Sequence, residues 1–175
     1  MLNRVKQVVA ALRAEINQDD RNFVACHLTE KEAALFWRMN LPDQRHSLNV
    51  AYSALELAQG NKSINSKVLL KAALLHDVGK VKGDVSTLDK IVTVILNKVV
   101  PEWTRAWGRE GRGGRIANVR HAIYIYYHHP ARGADMLAAQ GVEGEVVYIV
   151  GKHHAAPAAN DAPELRVLRT ADNMH

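Results

Sequence analysis

The 175-residue chain is long enough for one hydrophobic core, and its 47% apolar and 23% charged residues exclude wholesale disorder. A single cysteine, Cys26, excludes an intramolecular disulfide and a cysteine-based zinc finger. The formal charge of +5 favours anionic partners, and much of the excess lies in Arg105, Arg109, Arg112, Arg115 and Arg120.

In chain order, Leu2, Val5, Val8, Val9, Leu12 and Ile16 follow helical spacing and predict an amphipathic first helix. Thr29 and Glu32 form a capping-box pair ahead of a second helix through Ala33–Met39. Pro42 and Asp43 open a third, running through His46, Val50, Ala54 and Leu57 and stopping near Gly60. Ser66 is the expected cap of a fourth helix that ends at Gly79. Thr87 or Ser86 caps a fifth, with Leu88, Ile91, Val92, Ile95, Leu96 and Val99 on one face, and Pro101 ends it. Trp103 to Arg115 is glycine-rich and reads as a loop. The segment Ala117–Tyr127 fits helix or strand. Pro130 is expected to start a helix reaching about Ala139, followed by helices over Glu145–His153 and Glu164–Asp172. The fold class is all-α, with no hairpin turn signal between alternating runs. Residues 1–40 are expected to form N-terminal helices packed on a domain of residues 41–175. No apolar run resembles a signal peptide or approaches the about 20 residues of a membrane span, so a soluble, cytoplasmic protein without membrane partners is expected.

Nine histidines are present, several beside one another or beside aspartate. His46, His76, Asp77, His129, His153 and Asp172 fall on or at the ends of five separate predicted helices. Neutral imidazoles and carboxylates suit iron, manganese, zinc or nickel. His76 and Asp77 are adjacent, about 100° apart on a helix, so both touch one ion only near a helix end or between helices.

Ala73-Leu74-Leu75-His76-Asp77-Val78-Gly79-Lys80 resembles the His-Asp motif of the HD-domain superfamily of metal-dependent phosphohydrolases. Arg45-His46-Ser47-Leu48 resembles that family's upstream histidine segment, and Ala171-Asp172 its late aspartate. The resemblance covers roughly Leu41 to the end. His129-Pro130-Ala131-Arg132-Gly133-Ala134 and Ile149-Val150-Gly151-Lys152-His153-His154 resemble segments of dinuclear members. After His154 the chain reads Ala155-Ala156-Pro157, departing from the Gly-Tyr-Pro group that cleaves cyclic dinucleotides.

The resemblance implies an all-α HD bundle with its metal site between core helices. It also implies hydrolysis of a phosphoester or phosphoanhydride of a nucleotide-type substrate by a metal-bound hydroxide. Asp77 would bridge two ions, with His46, His76 and Asp172 completing one shell and His129 and His153 the other. Iron or manganese leads the expected ions, ahead of magnesium, nickel, zinc and cobalt. Asp77 and Lys80 are the expected catalytic residues. Lys80, Arg132 and His154 are expected to face the substrate, Arg132 because a helix start near it would favour an anion. The expected partner is a small phosphorylated molecule, with a second copy of the chain as a further candidate and nucleic acid disfavoured. Two other readings compete: a di-iron oxygenase, separable by a mixed-valent resonance signal, and a nucleotide- or RNA-binding module. His27, His121 and His175 read as bystanders, and His128 as a neighbour of the site and not a ligand. The arginine cluster reads as a solvated loop, and Trp103 with Trp107 as a packing pair.

Overall fold

Helices begin where a side chain takes the first free backbone N–H groups, or where a proline removes one. In the computed structural model, which describes residues 15–175, α1 (Gln18–His27) starts behind a capping box of Asn17 and Asp20. α2 (Glu30–Trp37) starts behind the Thr29–Glu32 box. α3 (Leu41–Ala58) carries Pro42 in its first turn. α4 (Ser66–Leu75) is capped by Asn65, one residue before the expected Ser66, because the Asn65 carboxamide accepts the N–H groups of Lys67 and Val68. α5 (Thr87–Val99) is capped by Ser86. α6 (Pro101–Trp107), α7 (Arg115–Ala139), α8 (Gly144–Lys152) and α9 (Pro163–Met174) follow. Among the described residues no strand occurs; one isolated antiparallel bridge joins Met39 to Val81.

α4 is the centre. Its segment from Val68 to Leu75 is Val, Leu and Ala apart from Lys71, so almost no face suits water, and all eight of these residues are buried. α1, α2, α3, α8 and α9 pack around it. The one charge is neutralised internally: the Lys71 ammonium lies 2.7 Å from Glu32 and 3.0 Å from Glu143. Because α4 runs through the middle of the bundle, the residues that follow it, His76 and Asp77, emerge in the interior.

Two expectations need correction, and a third lies mostly outside the described residues. Pro101–Trp107, partly expected as loop, is helical, with Pro101 in its first turn. The ambiguous Ala117–Tyr127 stretch and the helix expected to start at Pro130 are one helix of 25 residues, with Pro130 inside it. Most of the helix expected over Leu2–Ile16 lies outside the described residues. Ile16 itself packs against the core.

α7 tolerates Pro130 because the missing N–H is replaced. A proline leaves the carbonyl four residues earlier without its donor, here that of Tyr126. The Nδ1 of His129 lies 2.9 Å from that oxygen. α7 also approaches its neighbours closely at glycines. A Cβ on Gly79 would sit 2.1 Å from the His129 carbonyl oxygen, and one on Gly151 3.3 Å from the Ala134 Cβ. These contacts bring the middle of α7 against the turn after α4 and against α8.

Candidate metal centre

Five elements converge on one point. α3 supplies His46, the turn after α4 supplies His76 and Asp77, and α7 supplies His129. The end of α8 supplies His153 and His154, and α9 supplies Asp172. The structure brings together every residue that the sequence placed in the ligand set, and it adds His154.

The imidazoles are held by the backbone behind them. Nδ1 of His76 lies 2.8 Å from the Ala73 carbonyl, Nδ1 of His129 2.9 Å from that of Tyr126, and Nδ1 of His153 2.6 Å from that of Val150. A carbonyl only accepts, so each Nδ1 carries the proton and each Nε2 presents a lone pair. All three Nε2 atoms are buried and have no hydrogen-bond partner among the described residues. Nε2 of His129 stands 3.2 Å from Oδ1 of Asp77. Two acceptors facing each other at that distance, away from water, need a cation or a proton between them.

The donor atoms fall into overlapping groups whose members lie within 4.8 Å of one another: His46, His76 and Asp172; His76, Asp77 and His153; His129, His153 and His154. The middle group shares a residue with each outer one. His46 Nε2 is 2.9 Å from Asp172, which is also 3.7 Å from His76.

Electrostatics suit the same chemistry. Burial disfavours the charged form of Asp77, but the Lys80 ammonium outweighs it and holds its carboxyl well below the ordinary range. Asp172 is lowered too, burial being overcome by its hydrogen bond with His46. Burial lowers His76 and His153, and pushes His154 down to about 4 with help from His129. Neutral imidazoles beside ionised carboxylates are what a borderline divalent ion requires of its ligands. His46 is raised: burial opposes, and Asp172 and Asp77 prevail.

Lys80 reaches back so that its ammonium is 2.8 Å from the Asp77 carboxylate. Arg132 does not stand at a helix start as expected. It lies in the body of α7, bound to Asp84 and to the Gly79 carbonyl. His27 bonds the Phe23 carbonyl, His121 accepts the Gly111 N–H, and His128 stacks on Tyr124. The arginine segment is partly structural: Arg112 donates to the Gly83 carbonyl and Arg120 to that of Trp107. Trp103 and Trp107 stack with centroids 4.8 Å apart.

Two supports had no clear sequence signal. Arg169 donates to the carbonyls of Lys152 and His153, holding the His153–His154 turn, and is itself anchored by Asp161. Pro130 frees the carbonyl that orients His129. An arginine one turn before Asp172 and a proline beside a histidine are legible as residues, but their targets are set by packing.

The family model of the HD domain matches residues 44–175. The chain belongs to the HD-domain family. Neither a curated protein nor a solved structure matches it. HD domains are typically metal-dependent phosphohydrolases, and the clustered histidines and aspartates are compatible with divalent ions. No helix among the described residues is long and apolar enough to cross a membrane.

Proposed function

We propose that this HD-domain protein is a phosphohydrolase that cleaves a phosphoester or phosphoanhydride of a nucleotide-type substrate and uses two metal ions. The observation that carries the proposal is the set of buried, unpartnered Nε2 atoms of His76, His129 and His153 facing the Asp77 carboxylate. His46, His76 and Asp172 would hold one ion and His129, His153 and His154 the other, with Asp77 between them. Iron or manganese best suits this mixture of imidazole and carboxylate. When bound, such ions supply an activated water and polarise a phosphoryl oxygen.

The chain's own groups have separate tasks. The carbonyls behind His76, His129 and His153 fix the imidazole tautomers and hold the rings in place. Asp77 stays ionised at neutral pH because the Lys80 ammonium lies 2.8 Å from it. Lys80 carries a positive charge at the rim of the site, where it can draw a substrate phosphate toward Asp77 as a point charge.

The test is elemental analysis of the purified protein beside a His129→Ala variant, with hydrolysis assays on nucleotides and dinucleoside polyphosphates. The expected result is about two equivalents of metal, a clear drop in the variant and phosphate release by the wild type. One equivalent, unchanged in His129→Ala, would remove the second ion. A protein that takes up no metal when supplied with it would overturn the hydrolase reading.

A further inference from the structure

A cavity of about 190 Å³ opens beside Lys80, between α5, α7 and the turn after Asp77. Its apolar walls include Val81, Val94, Ala122 and Ile125, and its polar lining includes Asn40, Thr93 and two carboxylates that are already paired, Asp43 with Lys90 and Asp84 with Arg132. Thr93 is 2% exposed, and its hydroxyl has no partner among the described residues. Lys80 belongs both to this cavity and to the metal centre, since its ammonium is 2.8 Å from Asp77.

We propose that this cavity receives the nucleobase of the substrate while the phosphate passes Lys80 toward Asp77. The inference rests on the phosphohydrolase reading above and adds the part of the site that selects the substrate. Size supports it: an engineered apolar cavity of about 150 Å³ binds benzene, so this one admits a pyrimidine or the six-membered ring of a purine. Chemistry supports it too. A base has apolar faces and a hydrogen-bonding edge, matching apolar walls with a few polar groups. A sugar alone would leave those walls against hydroxyls. An alkyl chain would leave the hydroxyl of Thr93 without a partner. The charge at the mouth sets direction, because Lys80 attracts the phosphate end and leaves the neutral ring for the interior.

The experiment measures binding without turnover. The methylene phosphonates of the four ribonucleoside 5′-monophosphates and of ribose 5-phosphate are titrated into the metal-loaded protein by calorimetry. Two variants accompany the wild type: Ala122→Phe, which fills the cavity, and Val94→Trp, which blocks its mouth from a half-exposed position where folding is not at risk. At least one base-bearing phosphonate is expected to bind about tenfold or more tighter than the ribose compound. Both variants should reduce it to the ribose level and leave ribose phosphonate binding and metal content unchanged. Equal binding of all five compounds would overturn the base subsite and leave the phosphohydrolase reading standing. Tight nucleotide binding that ignores Val94→Trp would place the base elsewhere and overturn it as well, as would a butyl phosphonate that binds better than every nucleotide analogue. If none of the five binds, the phosphohydrolase reading falls and the subsite with it.

Discussion

Pro130 shows how a residue that normally damages a helix can organise a site. Its missing N–H leaves the Tyr126 carbonyl open, and Nδ1 of His129 occupies it at 2.9 Å. Pro130→Ala would restore a backbone donor to that carbonyl and give α7 a better helix former. His129 would then rely on the Ile125 carbonyl at 3.2 Å. The expected outcome is unchanged or higher thermal stability with metal affinity about tenfold weaker, read by metal titration, which is the usual scale for losing an outer hydrogen bond of a ligand histidine. Gly79 acts through absence: a Cβ there would meet the His129 carbonyl oxygen at 2.1 Å. Gly79→Ala must push α7 away from Asp77. It should cost about 3 kcal/mol in urea unfolding and lower metal uptake together with stability.

Among the helices, α4 and α5 pose opposite problems. α4 buries a lysine, which its surroundings must neutralise. Glu32 does so, fixed in turn by the Thr29 N–H at 2.7 Å. Lys71→Met would leave Glu32 buried without its cation, at an expected cost of about 3 kcal/mol in chemical denaturation. α5 is turned the other way round from an ordinary amphipathic helix. Its buried side carries Thr93, and Asn97 on that side bonds Tyr126 and Tyr127 of α7. Leu88 and Ile95 on the apolar stripe are 75% and 57% exposed. The stripe therefore adds little to the fold of the described residues, and Ile95→Gln should change the unfolding midpoint by no more than about 0.5 kcal/mol in free energy.

The molecule as a whole concentrates buried histidines at its centre, and this makes its stability depend on pH. His76, His153 and His154 are held below their ordinary value of 6.5 chiefly by burial, His154 at about 4. Between about pH 4 and 6.5 the unfolded chain therefore binds more protons than the folded one, so stability falls as pH falls through that window. His46 works in the opposite sense, because its folded value is raised by Asp172; stability from that contact is present below pH 6.5 and lost above its raised value. His175 is lowered by burial as well, so four groups outweigh one, and the urea midpoint of the metal-free protein should be lower at pH 5 than at pH 7. Metal loading should enlarge the difference, since ligands must be deprotonated to bind. A midpoint that rises on acidification would contradict the neutral state of these rings.

The all-α class was legible in the sequence because helical periodicity and capping residues are local. The Thr29–Glu32 box formed where it was read, and the two helices before His76–Asp77 followed their apolar spacing. The six residues expected to gather did gather, because the order of His46, His76-Asp77, His129, His153 and Asp172 carries the family's signature. What local pattern does not contain is which groups face each other. Pro130 reads as a helix start because proline usually is one; only the neighbouring imidazole, positioned by the close approach of α7 to Gly79, lets the helix run through it. Arg132 resembles an anion binder until Asp84 is found beside it. The orientation of α5 likewise depends on which side finds partners in α7. The place of His154 beside His129 and His153 follows from the crossing of α7 and α8 at Gly133, Ala134 and Gly151. Spacing along the chain determines helices and the kinds of atoms available, whereas distances of 3–5 Å between elements far apart in sequence are set by how those helices pack.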